Sequence, residues 1–236
     1  MATLILPGWQ GSGPEHWQSH WLDRLDRTVL VRQRDWDYPD LDDWLAAAVA
    51  AIREHPYPIL VGHSLGAILI AHLASRHPDL AIAGALLVAP ADVDNRADEV
   101  PALASFAPIP TGPLGFPAIV VGSRNDPWMP AARARVLARM WEADYVDAGR
   151  AGHINAAADL GAWPEGQRLL ARLDPVGPEE IRGKRRGIPV DPVNVQEVGR
   201  NAPNSRLRSR PDVALLHRAD RLTTGGHAKT GRGSAY

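Results

Sequence analysis

The chain of 236 residues is long enough for one domain with a full hydrophobic core. It has no cysteine, which excludes disulfides, a thiolate nucleophile and cysteine-held metal sites. The net charge of −1 hides an asymmetry: residues 174–236 hold 12 Lys/Arg against 7 Asp/Glu, and residues 1–173 hold 14 against 20. All eight tryptophans precede residue 174. The composition thus divides the chain into a folded body at 1–173 and a basic Gly/Pro/Arg-rich tail at 174–236. The tail has no sustained apolar period, so disorder is expected there. The N-terminus lacks the basic start and long apolar run of a secretory signal, and no apolar run reaches membrane-spanning length. The expectation is a cytoplasmic protein with no membrane partner.

Residues 3–6 predict a strand that runs into a loop of small residues, Pro7-Gly8-Trp9-Gln10-Gly11-Ser12-Gly13. Pro14 is placed to open a helix whose apolar stripe is Trp17, Trp21, Leu22 and Leu25. A strand at 28–31 and a polar, aromatic loop at 34–39 follow. Over 41–53, Leu41, Trp44, Leu45, Ala48, Val49 and Ile52 recur at helical spacing behind Asp40 as N-cap. Residues 59–61 form an apolar run suited to a strand buried on both faces. Leu65, Ile68, Leu69, His72 and Leu73 then lie along one helical stripe. Strands at 84–88, 116–121 and 144–146 and helices at 131–141 and 165–173 complete the body. Residues 89–117 are proline-rich and irregular, with one helical turn around 100–106. Loops of that length tend to form functional walls or lids. The alternation of elements predicts an α/β fold, a parallel sheet of about six strands with helices on both faces.

Between the strand at 59–61 and its helix stands Gly62-His63-Ser64-Leu65-Gly66, a G-x-S-x-G nucleophile elbow. A serine at the tip of so tight a turn occupies strained backbone. Side chains two residues to either side would collide with the neighbouring strand and helix, which explains both glycines. The plainer reading is a strand-to-helix turn whose serine only caps the helix.

A serine hydroxyl needs a neutral imidazole to take its proton, and the imidazole needs a carboxylate on its other nitrogen. Of the nine histidines, only His153 follows a strand in a loop after a candidate acid. His16 lies early in a helix that could approach the site, and His63 neighbours the serine. Asp126, closing Arg124-Asn125-Asp126-Pro127, is favoured as the acid over Asp92 and Asp94, which follow the preceding strand. The order Ser, Asp, His is that of α/β-hydrolases. Oxyanion donors are expected from the backbone N–H of Leu65 and of Trp9, with Gln10 as the alternative to Trp9. Trp9, Gln10, His63 and Trp128 are the candidate substrate-binding residues. The glycines at 8–13 could suggest a phosphate loop, but no lysine or ribose-binding acid is suitably placed. No metal and no cofactor is needed.

These residues together resemble the small serine hydrolases of the retinoblastoma-binding protein 9 / YdeN-like family, a minimal branch of the α/β-hydrolases. The matching pieces are L-P-G-W-Q-G-S-G-P-E-H-W-Q at 6–18, G-H-S-L-G-A at 62–67 and L-V-A-P-A-D at 87–92. Further on come G-S-R-N-D-P at 122–127, A-G-H-I-N at 151–155 and G-A-W-P-E-G at 161–166. The resemblance implies a fold without a cap domain, a Ser64–Asp126–His153 triad and hydrolysis of small esters or related acyl compounds. It covers residues 1–173; the tail departs from it. The partner expected is a small acyl substrate. Nucleic acid is not expected, because the basic tail lacks aromatics for stacking except Tyr236. The alternative is a catalytically silent binding protein on the same fold.

Overall fold

A computed structural model describes residues 1–174. The expected tail lies outside the described residues. In chain order the elements are β1 (Thr3–Leu6), α1 (Trp17–Arg24), β2 (Thr28–Leu30), α2 (Leu41–Glu54), β3 (Ile59–His63), α3 (Leu65–Arg76) and β4 (Gly84–Val88). Then follow α4 (Val93–Arg96), β5 (Ala118–Gly122), α5 (Ala131–Met140), β6 (Asp144–Asp147) and α6 (Pro164–Arg172), with 3-10 turns at Pro101–Phe106 and Ala156–Ala158. The strands form one parallel sheet of six in the order β2-β1-β3-β4-β5-β6.

Side-chain alternation along each strand assigns the helices to faces. Leu4, Leu6, Leu60, Leu87 and Val120 pack with α2, α3 and α5. Ile5, Val61, Leu86, Val88 and Val121 pack with Trp17 and Trp21 of α1 and with Trp163 and Leu173 around α6. All six apolar positions read for α2 are buried, and Asp40 caps it by accepting from the N–H of Asp43. After β2 the chain crosses back over β1 to lay down β3. The order therefore reverses between β1 and β3, and their carboxyl ends open the crevice where such sheets bind ligands.

The first helix starts later than Pro14 suggested. Pro14 lies in a turn in which the N–H of His16 donates to Gly13, and His16 is the N-cap of α1. The 89–117 stretch contains α4 as well as the expected turn, and Ile109 is tied to it through the Asp94 carboxylate. Periodicity could not show α4, because four residues are about one helical turn. Among the described residues there is no separate cap, and no helix is long and apolar enough to cross a membrane.

Glycine at the elbow is a packing requirement. A Cβ on Gly66 would lie 2.0 Å from the Leu6 carbonyl oxygen, and one on Gly62 would lie 2.5 Å from that of Gly66. Gly66→Ala is expected to destabilise the fold by about 3 kcal/mol or more, since backbone cannot yield as a side chain does. Gly112→Ala, where nothing lies within 4 Å, should stay close to neutral. Chemical denaturation of the two variants checks the contrast.

Candidate active site

Ser64 joins β3 to α3 with φ 54° and ψ −117°, a left-handed region that non-glycine residues rarely enter. Its N–H donates to Val88 and its carbonyl receives the N–H of Ala67, which lock the turn to β4 and to the new helix. The side chain makes no capping hydrogen bond to α3. The plain capping role for this serine is thereby removed. Its hydroxyl instead meets His153, with Oγ 2.9 Å from Nε2.

The imidazole of His153 is held on its other side. Its Nδ1–H donates to Asp126, 2.9 Å from Oδ1 and 3.1 Å from Oδ2. The carboxylate is 1% exposed, and Oδ1 also accepts the N–H of Trp128 at 2.8 Å. Asp92, the rival acid, is buried but faces elsewhere. It accepts from Arg133 Nε at 2.8 Å and from Asn95 Nδ2 at 2.8 Å. Asp94 takes a second nitrogen of Arg133 at 2.6 Å. These two carboxylates fasten the loop after β4 to α5.

The loops that carry Asp126 and His153 are joined by residues that the reading of the sequence left without roles. Ser123 Oγ accepts the N–H of Ala151 at 3.0 Å, and Asn125 Oδ1 accepts that of Gly152 at 2.9 Å. From α1, Trp17 Nε1–H donates to the Ile154 carbonyl at 2.8 Å. The tryptophan beside His16 therefore anchors the loop that carries His153.

The loop after β1 closes the site from the other side. A Cβ on Gly8 would stand 2.8 Å from that of Ser64, so only glycine lets this loop approach so closely. The N–H of Gln10 donates to Trp36 and that of Gly11 to Gly8, whereas the Trp9 N–H takes no backbone partner among the described residues. Leu65 opens α3, and an N–H there has no intrahelical acceptor. Gln18, fully buried, brackets the region. Its Nε2 donates to the carbonyls of Leu6 and Val61, and its Oε1 accepts from Ser12.

These walls enclose a cleft of about 290 Å³ in which Ser64, His153, Trp9, Gln10, His63 and Trp128 all take part. Trp9 and Trp128 meet edge to face at 6.4 Å. His63 lines the cleft, and its Nε2–H is given to the His153 carbonyl at 2.9 Å. His16 also lines it, with its ring 4.7 Å from that of His63. His16 Nδ1 accepts the N–H of Gln18, while its buried Nε2 has no hydrogen-bond partner among the described residues. An orphaned buried N–H costs about 1–3 kcal/mol. Among the described residues no group of three or more His, Asp or Glu is placed to hold a metal ion.

The sequence model of the serine hydrolase family matches residues 3–172. A YdeN-like hydrolase from Pectobacterium atrosepticum is 37% identical, with a TM-score of 0.65 over 73% of this chain and 89% of its own. The chain belongs to the serine hydrolase family, in its YdeN-like branch. The ydeN gene product of B. subtilis shares the fold at 21% identity, with a TM-score of 0.60 over 73% of this chain and 97% of its own. The esterase domain of a Rhodothermus marinus protein does so at 13% identity, with a TM-score of 0.56 over 72% and 86%. No curated protein sequence matches the chain. The retinoblastoma-binding protein 9 side of the resemblance rests on the sequence motifs alone.

Burial sets the protonation of this serine hydrolase's inner histidines. It lowers His16 from 6.5 to about 4, with the nearby His153 adding repulsion. It holds His63 well below 6.5, and it lowers His72, whose Nε2–H donates to the Phe106 carbonyl. In the unfolded chain these rings protonate near 6.5, so below that pH the unfolded state binds more protons. Their contribution to stability is complete above about pH 6.5 and is lost as the pH falls below that, for His16 through about pH 4. The thermal midpoint should therefore fall between about pH 7 and about pH 5, before most carboxylates titrate; a flat midpoint over that span contradicts the account.

Proposed function

We propose that this enzyme hydrolyses small, neutral carboxylic esters through Ser64, His153 and Asp126 by way of an acyl-enzyme. The observation that carries the reading is the unbroken run of hydrogen bonds from Ser64 Oγ to His153 Nε2 and from His153 Nδ1 to Asp126, each 2.9 Å. As Oγ attacks the ester carbonyl carbon, its proton passes to Nε2. Asp126 holds the tautomer with Nδ1 protonated and stabilises the imidazolium. The N–H groups of Leu65 and Trp9 receive the developing oxyanion. Such donors are worth about 3 kcal/mol each to the transition state. Collapse of the tetrahedral adduct breaks the ester C–O bond, and Nε2 returns the proton to the departing alcohol. Water, deprotonated by His153, then attacks the acyl-enzyme and releases the carboxylic acid.

Gln10 is the weaker candidate for the second oxyanion donor, because its N–H is already given to Trp36. Small and neutral substrates follow from the cleft. Its volume is at the low end for ligand sites, and among the described residues no Lys, Arg, Asp or Glu lines it. Trp9, Trp128, Ala91 and Leu103 supply an apolar wall.

A fluorophosphonate probe should label the wild-type protein and leave Ser64→Ala unlabelled. A folded wild type that takes no label would instead support a silent binding protein. Asp126→Asn should lower kcat/KM for a p-nitrophenyl ester by about 10³–10⁴, because it favours the wrong tautomer. Asp92→Asn should leave kcat/KM within a few-fold and act on stability, through Arg133. Equal losses in the two variants would overturn the choice of acid.

A further inference from the structure

Asn155 lines the cleft two residues beyond His153, on the loop that carries the base. It is the N-cap of the 3-10 turn at Ala156–Ala158, and its Oδ1 accepts the N–H of Ala157 at 3.1 Å. A backbone N–H can only donate, so this bond fixes which end of the carboxamide is oxygen. The other end is therefore Nδ2, which carries two hydrogens and accepts nothing. Nδ2 has no hydrogen-bond partner among the described residues, and it is not one of their buried unpaired atoms, so solvent or a ligand can reach it.

The other side-chain donors of the cleft differ from it. Trp9 Nε1–H is given to the Asp37 carbonyl and His63 Nε2–H to that of His153, while His16 Nε2 is buried. The Gln10 amide is exposed and held by nothing among the described residues, so it would lose rotamer freedom on binding. Trp128 Nε1 is also without a partner among the described residues, but that residue is tied to Asp126 on the acid's loop. Asn155 is the amide already held in place, by Ala157, and it stands on the base's loop. The base must hand its proton to the departing alcohol, so that half of an ester lies against His153. With no cation among the described residues of the lining, the group that suits a carboxamide donor here is a neutral acceptor oxygen.

Resting on the hydrolase reading above, we propose that Asn155 is a specificity-determining residue whose Nδ2–H donates to an ether or carbonyl oxygen in the alcohol half of the substrate. The preferred substrates are esters of oxygenated alcohols.

Two pairs of esters test this, each exchanging a methylene for an ether oxygen at nearly constant shape. Butyl butanoate against 2-methoxyethyl butanoate probes the alcohol half; propyl pentanoate against propyl 3-methoxypropanoate probes the acyl half. Each kcat/KM is divided by the alkaline hydrolysis rate of the same ester, which removes the inductive pull of the added oxygen. The wild type should favour the ether member of the alcohol pair by roughly threefold to tenfold. Asn155→Ser and Asn155→Asp both keep an N-cap acceptor for the Ala157 N–H and lose the amide donor. In whichever of them melts cooperatively, that preference should vanish. Trp128→Phe, which removes the other free donor, should retain it. A wild-type ratio near one in the alcohol pair overturns the proposal. So does a preference that survives both Asn155 variants, one that disappears in Trp128→Phe, or an effect of Asn155 confined to the acyl pair. Failure of the underlying reading looks different: no ester is turned over and no fluorophosphonate label is taken.

Discussion

Beneath Ser64 the main chains of β1, β3 and α3 approach one another more closely than any side chain would permit. Gly66 touches the end of β1, Gly62 touches the first turn of α3, and Gly8 touches Ser64 itself. This close approach forces the serine into left-handed backbone at φ 54°. Such a conformation costs about 1–3 kcal/mol, and it persists because buried strands on either side hold it. The same geometry brings the loop after β1 against Ser64 and places the first turn of α3 directly after it. Hydroxyl, loop and helix N-terminus therefore converge for one steric reason.

The second constraint is electrostatic. His16, His63 and His153 follow one another with ring separations of 4.7 and 5.0 Å. Three imidazoles that close could not all carry charge. Burial disfavours charge on the inner two, and His153 is the ring that Asp126 faces. His63 also donates to the His153 carbonyl, so the column helps to position that ring. The buried Nε2 of His16 has no hydrogen-bond partner among the described residues.

Ordering of the loops is the third. The base loop is held by Ser123, Asn125 and Trp17, which come from the far end of β5 and from α1. Gln18 joins the ends of β1 and β3 where the order of the sheet reverses, the place at which backbone groups would otherwise lose partners. Arg133 pairs with Asp92 and Asp94, whereas His153 meets Asp126. None of these roles is a local property of sequence. Each is a hydrogen bond across 27 or more residues for the loop anchors and 39 or more for the arginine.

Short-range chemistry made much of the protein legible in its residues alone. Apolar spacing gave α2 and the stripe of α3, continuous apolar runs gave the central strands, and glycines around a serine gave the elbow. Such signals depend on contacts within a few residues, which the order of the chain encodes directly. The start of α1 was misplaced because His16 rather than Pro14 caps it, and a histidine cap has little propensity to reveal it. The four-residue α4 is too short for a period. That His153 meets Asp126 and not Asp92, that the Gln10 N–H goes to Trp36 and that His16 lies against His63 are matters of tertiary structure. Those outcomes depend on which groups meet through space after the sheet reverses between β1 and β3, and a carboxylate or an imidazole carries no local mark of the partner it will find.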